Sequence, residues 1–127
     1  MIKPGVIYAL LFGAACCFAE PTDTEAIRTI IGEAANQGPV GMEAVGRVIR
    51  NRGCLQGFCG RNAKHIDKQP AWVWRQAAAA WRRSAGRDIT WGSTHFDNVR
   101  KFGVPYWSKN MVKTVKIRDH QFYKLPT

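Results

Sequence analysis

The stretch Ile30-Ile31-Gly32-Glu33-Ala34-Ala35-Asn36-Gln37-Gly38, followed by Pro39, ends one helical pattern and begins another. On a helical wheel at about 100° per residue, with Ala26 as zero, Ile30, Ala34, Ile27 and Ile31 fall within roughly 140° of one another. Glu33 falls at about 340°, on the edge of that apolar stripe rather than opposite it. A carboxyl there is partly desolvated and sits near the negative end of the helix dipole. Both effects disfavour its ionised form and suit it to general-acid work. Helix-edge glutamates are common, and position alone does not assign a role.

Thr22-Asp23-Thr24-Glu25 has the spacing of a capping box, which predicts a first helix over Asp23 to Asn36. A second helix fits Val40 to Arg52, stopped by Gly53, with Gly41, Met42, Val45, Val48 and Ile49 on its buried face. Glu43, Arg47 and Arg50 lie opposite, and Glu43 and Arg47 have the spacing of a surface ion pair. Arg52 turns back toward the core, where a guanidinium needs acceptors, and is read as bracing the loop that follows. Pro70 opens a third helix reaching Ser84 and Gly86, with Val73, Trp74, Ala77, Ala80 and Trp81 on one face. Trp72 lies off that face, as a sugar-stacking platform or an exposed helix-start residue.

Beyond Gly86 the character changes. Residues 89–98 and 114–123 are β-rich with partial alternation, and Phe102 to Trp107 reads as an aromatic loop between them. The expected class is α+β, mainly α, with about three helices and a small antiparallel sheet.

Residues 1–19 have the plan of an export signal: Lys3, then an uncharged run from Val6 to Phe18, then small residues at Cys17 and Ala19. The run is short for a membrane span, although Ala-Ala-Cys16 faintly resembles a lipoprotein site and a weak anchor is the alternative. The expected protein is therefore exported to the periplasm or cell wall, with residues 20–127 as one domain and no stable span in the mature form. Cys54 and Cys59 stay with that domain. In an oxidising compartment they are most simply a disulfide stapling the glycine-rich loop, with free thiols the alternative. A zinc site would need two further ligands, and His65 is the only near candidate.

The chain carries 19 Lys+Arg against 9 Asp+Glu, a formal net charge of +10. Such an excess favours polyanionic partners: nucleic acid, anionic membranes or acidic wall polymers.

Together the motifs resemble the bacterial cell-wall hydrolase family typified by the spore cortex-lytic enzymes. The likeness runs through Ile31-Gly-Glu33-Ala34 and Val48-Ile49-Arg50-Asn51-Arg52, then His95-Phe96, Pro105 and Trp107, and ends at Ile117, His120, Phe122 and Tyr123. The chain departs from the family pattern at Arg118, where a glycine is usual, and at Ser93, where an alanine is usual. No separate peptidoglycan-binding module is expected beside this domain, and wall affinity is expected to come from the domain's own charge. The resemblance implies a lysozyme-like fold that cleaves peptidoglycan between N-acetylmuramic acid and N-acetylglucosamine, with Glu33 as the essential acid. None of the remaining acids carries a paired motif, so one-carboxylate chemistry is expected. This is a lytic transglycosylase leaving a 1,6-anhydro end, with a hydrolytic muramidase as the alternative.

His95, Tyr106, Trp107, His120 and Tyr123 are the expected sugar-binding residues, the competing role for each being the core of the small sheet. No metal or cofactor is implied, and the chain is expected to act as a monomer. Two other classes fit parts of the sequence. Trp74-Arg75 and Trp81-Arg82-Arg83 suit a nucleic-acid-binding module, against which the export signal argues, and an inactive relative could bind glycan without cutting it.

Overall fold

A computed structural model describes residues 19–127, so the expected targeting segment, apart from Ala19, lies outside the described residues. Three main helices carry the core: α1 (Asp23–Ala34), α2 (Gly38–Arg52) and α3 (Ala71–Arg83). They are followed by β1 (His95–Asn98), the one-turn helix α4 (Val99–Phe102), β2 (Val112–Ile117) and β3 (His120–Lys124). The sheet is antiparallel with order β1-β3-β2. The class is α+β, mainly α, as the periodicities predict. No helix among the described residues is long and apolar enough to cross a membrane.

The local signals act where they stand. Thr22 and Glu25 form the capping box on α1, and Gly53 closes α2 in the left-handed conformation that glycine adopts without strain. Pro70 serves as the cap of α3 rather than as its first residue. Ala26, Ile30, Ile31 and Ala34 of α1 pack on Met42, Val45, Val48 and Ile49 of α2 and on Val73, Ala77 and Ala80 of α3. This buried apolar surface is the main stabilising term. Trp81 completes it, its indole Nε1 donating to Asp23 at 2.8 Å.

Two expectations are corrected. Glu43 does not pair with Arg47 along its own helix; it accepts from Arg83 of α3 at 2.9 Å, and its side chain is only 15% exposed. Arg47 instead donates to the carbonyls of Ser84 and Gly86 and meets Asp88 at 3.4 Å. The packing of α3 on α2 covers what a lone helix would leave in solvent. The β-rich stretch 114–123 folds as the hairpin β2–β3, whose turn begins at Arg118 with φ 54°. Glycine is the residue that takes this conformation without cost, so the Arg118 departure falls on a position with a real backbone demand. Gln37, 2% exposed, clamps the turn: it accepts from the Asp119 N–H at 3.0 Å and donates to its carboxylate at 3.2 Å.

The second correction concerns the cysteines. Cys59 is a free, exposed thiol, so the expected Cys54–Cys59 bridge is not made. Cys54 enters the core at 6% exposure, whereas Cys59 opens a short 3-10 turn (Cys59–Asn62) and faces outward.

Candidate active site

Glu33 stands on the last turn of α1, and its Oε2 accepts from the Gly60 backbone N–H at 2.7 Å. Gly60 reaches it because the Cys59–Asn62 turn lies directly on α1. A methyl group built on Gly32 would overlap the Gly60 carbonyl, and one on Gly60 would come within 2.7 Å of the Gly32 carbonyl carbon. Two facing glycines therefore bring a backbone donor onto the carboxylate.

Arg52 crosses behind the site. Its Nε donates to Thr94 C=O and its Nη1 to Gln56 C=O, both at 2.6 Å, and the guanidinium lies 4.5 Å from the centre of the Phe58 ring. It braces the loop as expected, and it does more. With Asn51, whose amide donates to Ser93 C=O at 2.8 Å, it ties α2 to the segment leading into β1. The Asn51-Arg52 pair thus sets where His95, Phe96 and Asp97 lie relative to Glu33. Burial lowers the Arg52 pKa to about 10, against the pull of the Glu33 and Cys59 charges, so it remains a cation at neutral pH.

A cleft of about 710 Å³ opens between α1, the 55–60 loop and the sheet, with Glu33 and Arg52 in its wall. His95, Tyr106, Trp107 and His120 line it, so four of the five residues expected to hold sugar come together there. Tyr106 is 58% exposed, in the 3-10 turn Tyr106–Asn110, and offers an open ring face. His95 and His120 are nearly buried. Burial depresses their pKa values to about 3 and about 4, so both are neutral at physiological pH. Tyr123 is the exception. It is fully buried beneath the cleft, its ring edge-on to Trp107 at 5.2 Å, and it supports the cleft wall without lining it.

A second groove of about 470 Å³ runs from the other side of Glu33 and is lined by His65, Gln69 and Trp72. The two grooves share Gly32, Glu33 and Asn36. Trp72, 56% exposed, is the residue that the helical wheel left off the core face. The Trp-Arg pairs are placed differently: Trp81 is buried with Arg50 over its ring at 3.6 Å, and Trp74 is half-buried against Arg28 at 5.8 Å. Neither indole is an open platform for bases.

Asp97, which sequence reasoning passed over, also lines the cleft. It sits mid-strand in β1, paired in register with Gln121. Its Oδ1 accepts from the Asn98 N–H at 2.8 Å, and no described cation lies within ion-pair distance. Burial raises its pKa, partly offset by that hydrogen bond. The Glu33 pKa is raised first by burial and further by the Asp97 charge, while the Gly60 N–H and Arg52 pull it down. Burial thus raises both carboxyls, and each accepts one backbone N–H that pulls the other way. A sequence signal existed only in its position directly after His95-Phe96.

No protein-family model, curated protein or solved structure matches this chain.

Proposed function

We propose that this chain cleaves peptidoglycan glycan strands between N-acetylmuramic acid and N-acetylglucosamine, with Glu33 as the proton donor. The observation that carries the reading is the place of Glu33 at the junction of two open grooves. An acid that cuts within a polymer needs binding surface on both sides of the scissile bond. Aromatic faces stand on both sides as well, Trp72 in one groove and Tyr106 and Trp107 in the other, suited to the apolar faces of pyranose rings.

The chemistry follows from the carboxyl. Glycosidic cleavage needs a proton on the leaving oxygen as an oxocarbenium-like centre develops at C1. Burial raises the Glu33 pKa and so favours the protonated acid, and the Gly60 N–H fixes one carboxyl oxygen, so the acid is held in one orientation. The strongly basic surface supplies attraction to an anionic wall. A wall substrate in turn places the working protein outside the cytoplasm, in the periplasm or cell wall.

The test is digestion of purified wall sacculi, with the soluble products separated and weighed. Release of disaccharide-containing muropeptides is the expected result. Release of free peptides from intact glycan strands, or no release by folded protein, overturns the reading.

A further inference from the structure

We infer that Asp97 is the second catalytic carboxylate, a base that delivers water to C1 and makes the reaction hydrolytic. The inference rests on the glycan-cleaving reading above and decides the fate of its intermediate.

The acids of the described chain sort by what they touch. Glu43, Asp67, Asp88 and Asp119 are paired with arginines. Asp23 holds the Trp81 indole, and Glu25 closes the helix cap. Glu20 is exposed at the start of the described chain. Glu33 and Asp97 remain, and both face the same cleft, one from helix α1 and one from strand β1. In a chain of net charge +10, a half-buried carboxylate with no described cation in ion-pair range needs a reason to be there.

The two carboxylates are not hydrogen-bonded to each other. With Oδ1 occupied by the Asn98 N–H, Oδ2 is left to accept a proton. The cleft of about 710 Å³ that both line has room for a sugar and a water.

The step balances as follows. Glu33 gives its proton to the leaving glycosidic oxygen as the C1–O bond breaks. Asp97 takes a proton from a water molecule whose oxygen bonds to C1 from the opposite face. The products are a free hydroxyl on one strand and a reducing N-acetylmuramic acid on the other. Asp97 ends protonated and Glu33 ionised, and exchange with solvent resets both. One-carboxylate chemistry would instead close the C6 hydroxyl onto C1 and leave a 1,6-anhydro end.

Digestion in ¹⁸O-water reads the outcome on the wild-type protein itself. Reducing ends that carry one solvent oxygen are expected. A wild type that releases only anhydro ends overturns this inference while leaving the glycan-cleaving reading intact, whereas one that releases nothing removes both. Asp97→Asn should lower formation of reducing ends by about 10²-fold or more. Added azide with Asp97→Ala should restore turnover and yield a glycosyl azide, which a merely structural role for Asp97 does not produce. A folded Asp97→Asn that hydrolyses at the wild-type rate, with only its pH profile moved, reduces Asp97 to an electrostatic neighbour of Glu33 and overturns the proposal.

Discussion

Gly32 on α1 and Gly60 on the facing turn touch backbone to backbone, and this contact brings the Gly60 N–H to the Glu33 carboxylate. Helix propensity alone would favour alanine at position 32 by about 1 kcal/mol. The overlap with a backbone carbonyl reverses the sign, because the neighbour is not a flexible side chain. Gly32→Ala should cost about 3 kcal/mol and lower activity by moving the Gly60 donor off Glu33. Urea denaturation beside a wall-clearing assay checks both. A Gly32→Ala protein as stable and active as wild type would show that the turn can move aside.

Glu33→Gln keeps the shape and removes the transferable proton, so wall clearing should fall by about 10²-fold or more while the fold survives. Stability gives a second readout. The fold raises the Glu33 pKa, so the native state holds the proton to higher pH than the unfolded chain does, and stability is lost as pH rises through that window. Gln escapes this loss. Glu33→Gln should therefore melt higher than wild type at neutral pH, with the difference gone below about pH 4. Glu43→Gln, which loses only the Arg83 contact, is the activity control and should cost no more than about 1 kcal/mol.

The buried histidines should make the protein acid-labile. His95 and His120 have native pKa values of about 3 and about 4, below the unfolded histidine value of about 6.5. Their contribution is complete above about pH 6.5 and is lost as pH falls toward the native values, since the unfolded chain then binds more protons. Melting temperature should drop steadily from pH 7 to pH 4. Replacing both histidines by glutamine should flatten that slope. An unchanged slope would place the acid lability elsewhere.

Cys59 should react with a maleimide without prior reduction, as its exposed, free thiol requires. Because it lines the cleft beside Glu33, a bulky adduct should block wall clearing, and soluble glycan fragments should slow the labelling. Peptide mapping of the labelled protein checks the site. An unreactive Cys59 in the native protein would contradict the exposed position.

Wall binding should weaken with salt. The chain carries 19 Lys+Arg, one of them Lys3, against 9 Asp+Glu, and β2 turns Lys113 and Lys116 to solvent. Exposed charges more than about 10 Å apart are largely screened at 0.1 M salt. Co-sedimentation with sacculi from low to high salt measures this. Binding unchanged across that range would assign affinity to the grooves alone.

Much of the architecture was legible residue by residue. The capping box, the Gly53 stop, the apolar faces of three helices and the edge position of Glu33 depend on neighbours three or four residues away, and the chain writes these directly. Arg52 was legible too, because a guanidinium on an apolar face must find carbonyls, and it finds two.

What the sequence by itself determined, then, was the helical framework and one carboxylate placed at its edge. Only the tertiary structure decided what that carboxylate faces. The Gly60 donor, the charge of Asp97 and the Trp72 groove come from segments far apart in the chain, brought together by glycine contact, strand register and the Asn51-Arg52 tie. The cysteines show the same limit, since short separation favoured a bridge, whereas the fold buries Cys54 and leaves Cys59 exposed and free. Glu43 shows it as well, its partner chosen by the packing of α3 rather than by spacing along α2. Local periodicity fixes which face of an element is apolar, but not which polar groups a neighbouring element will set against its edge.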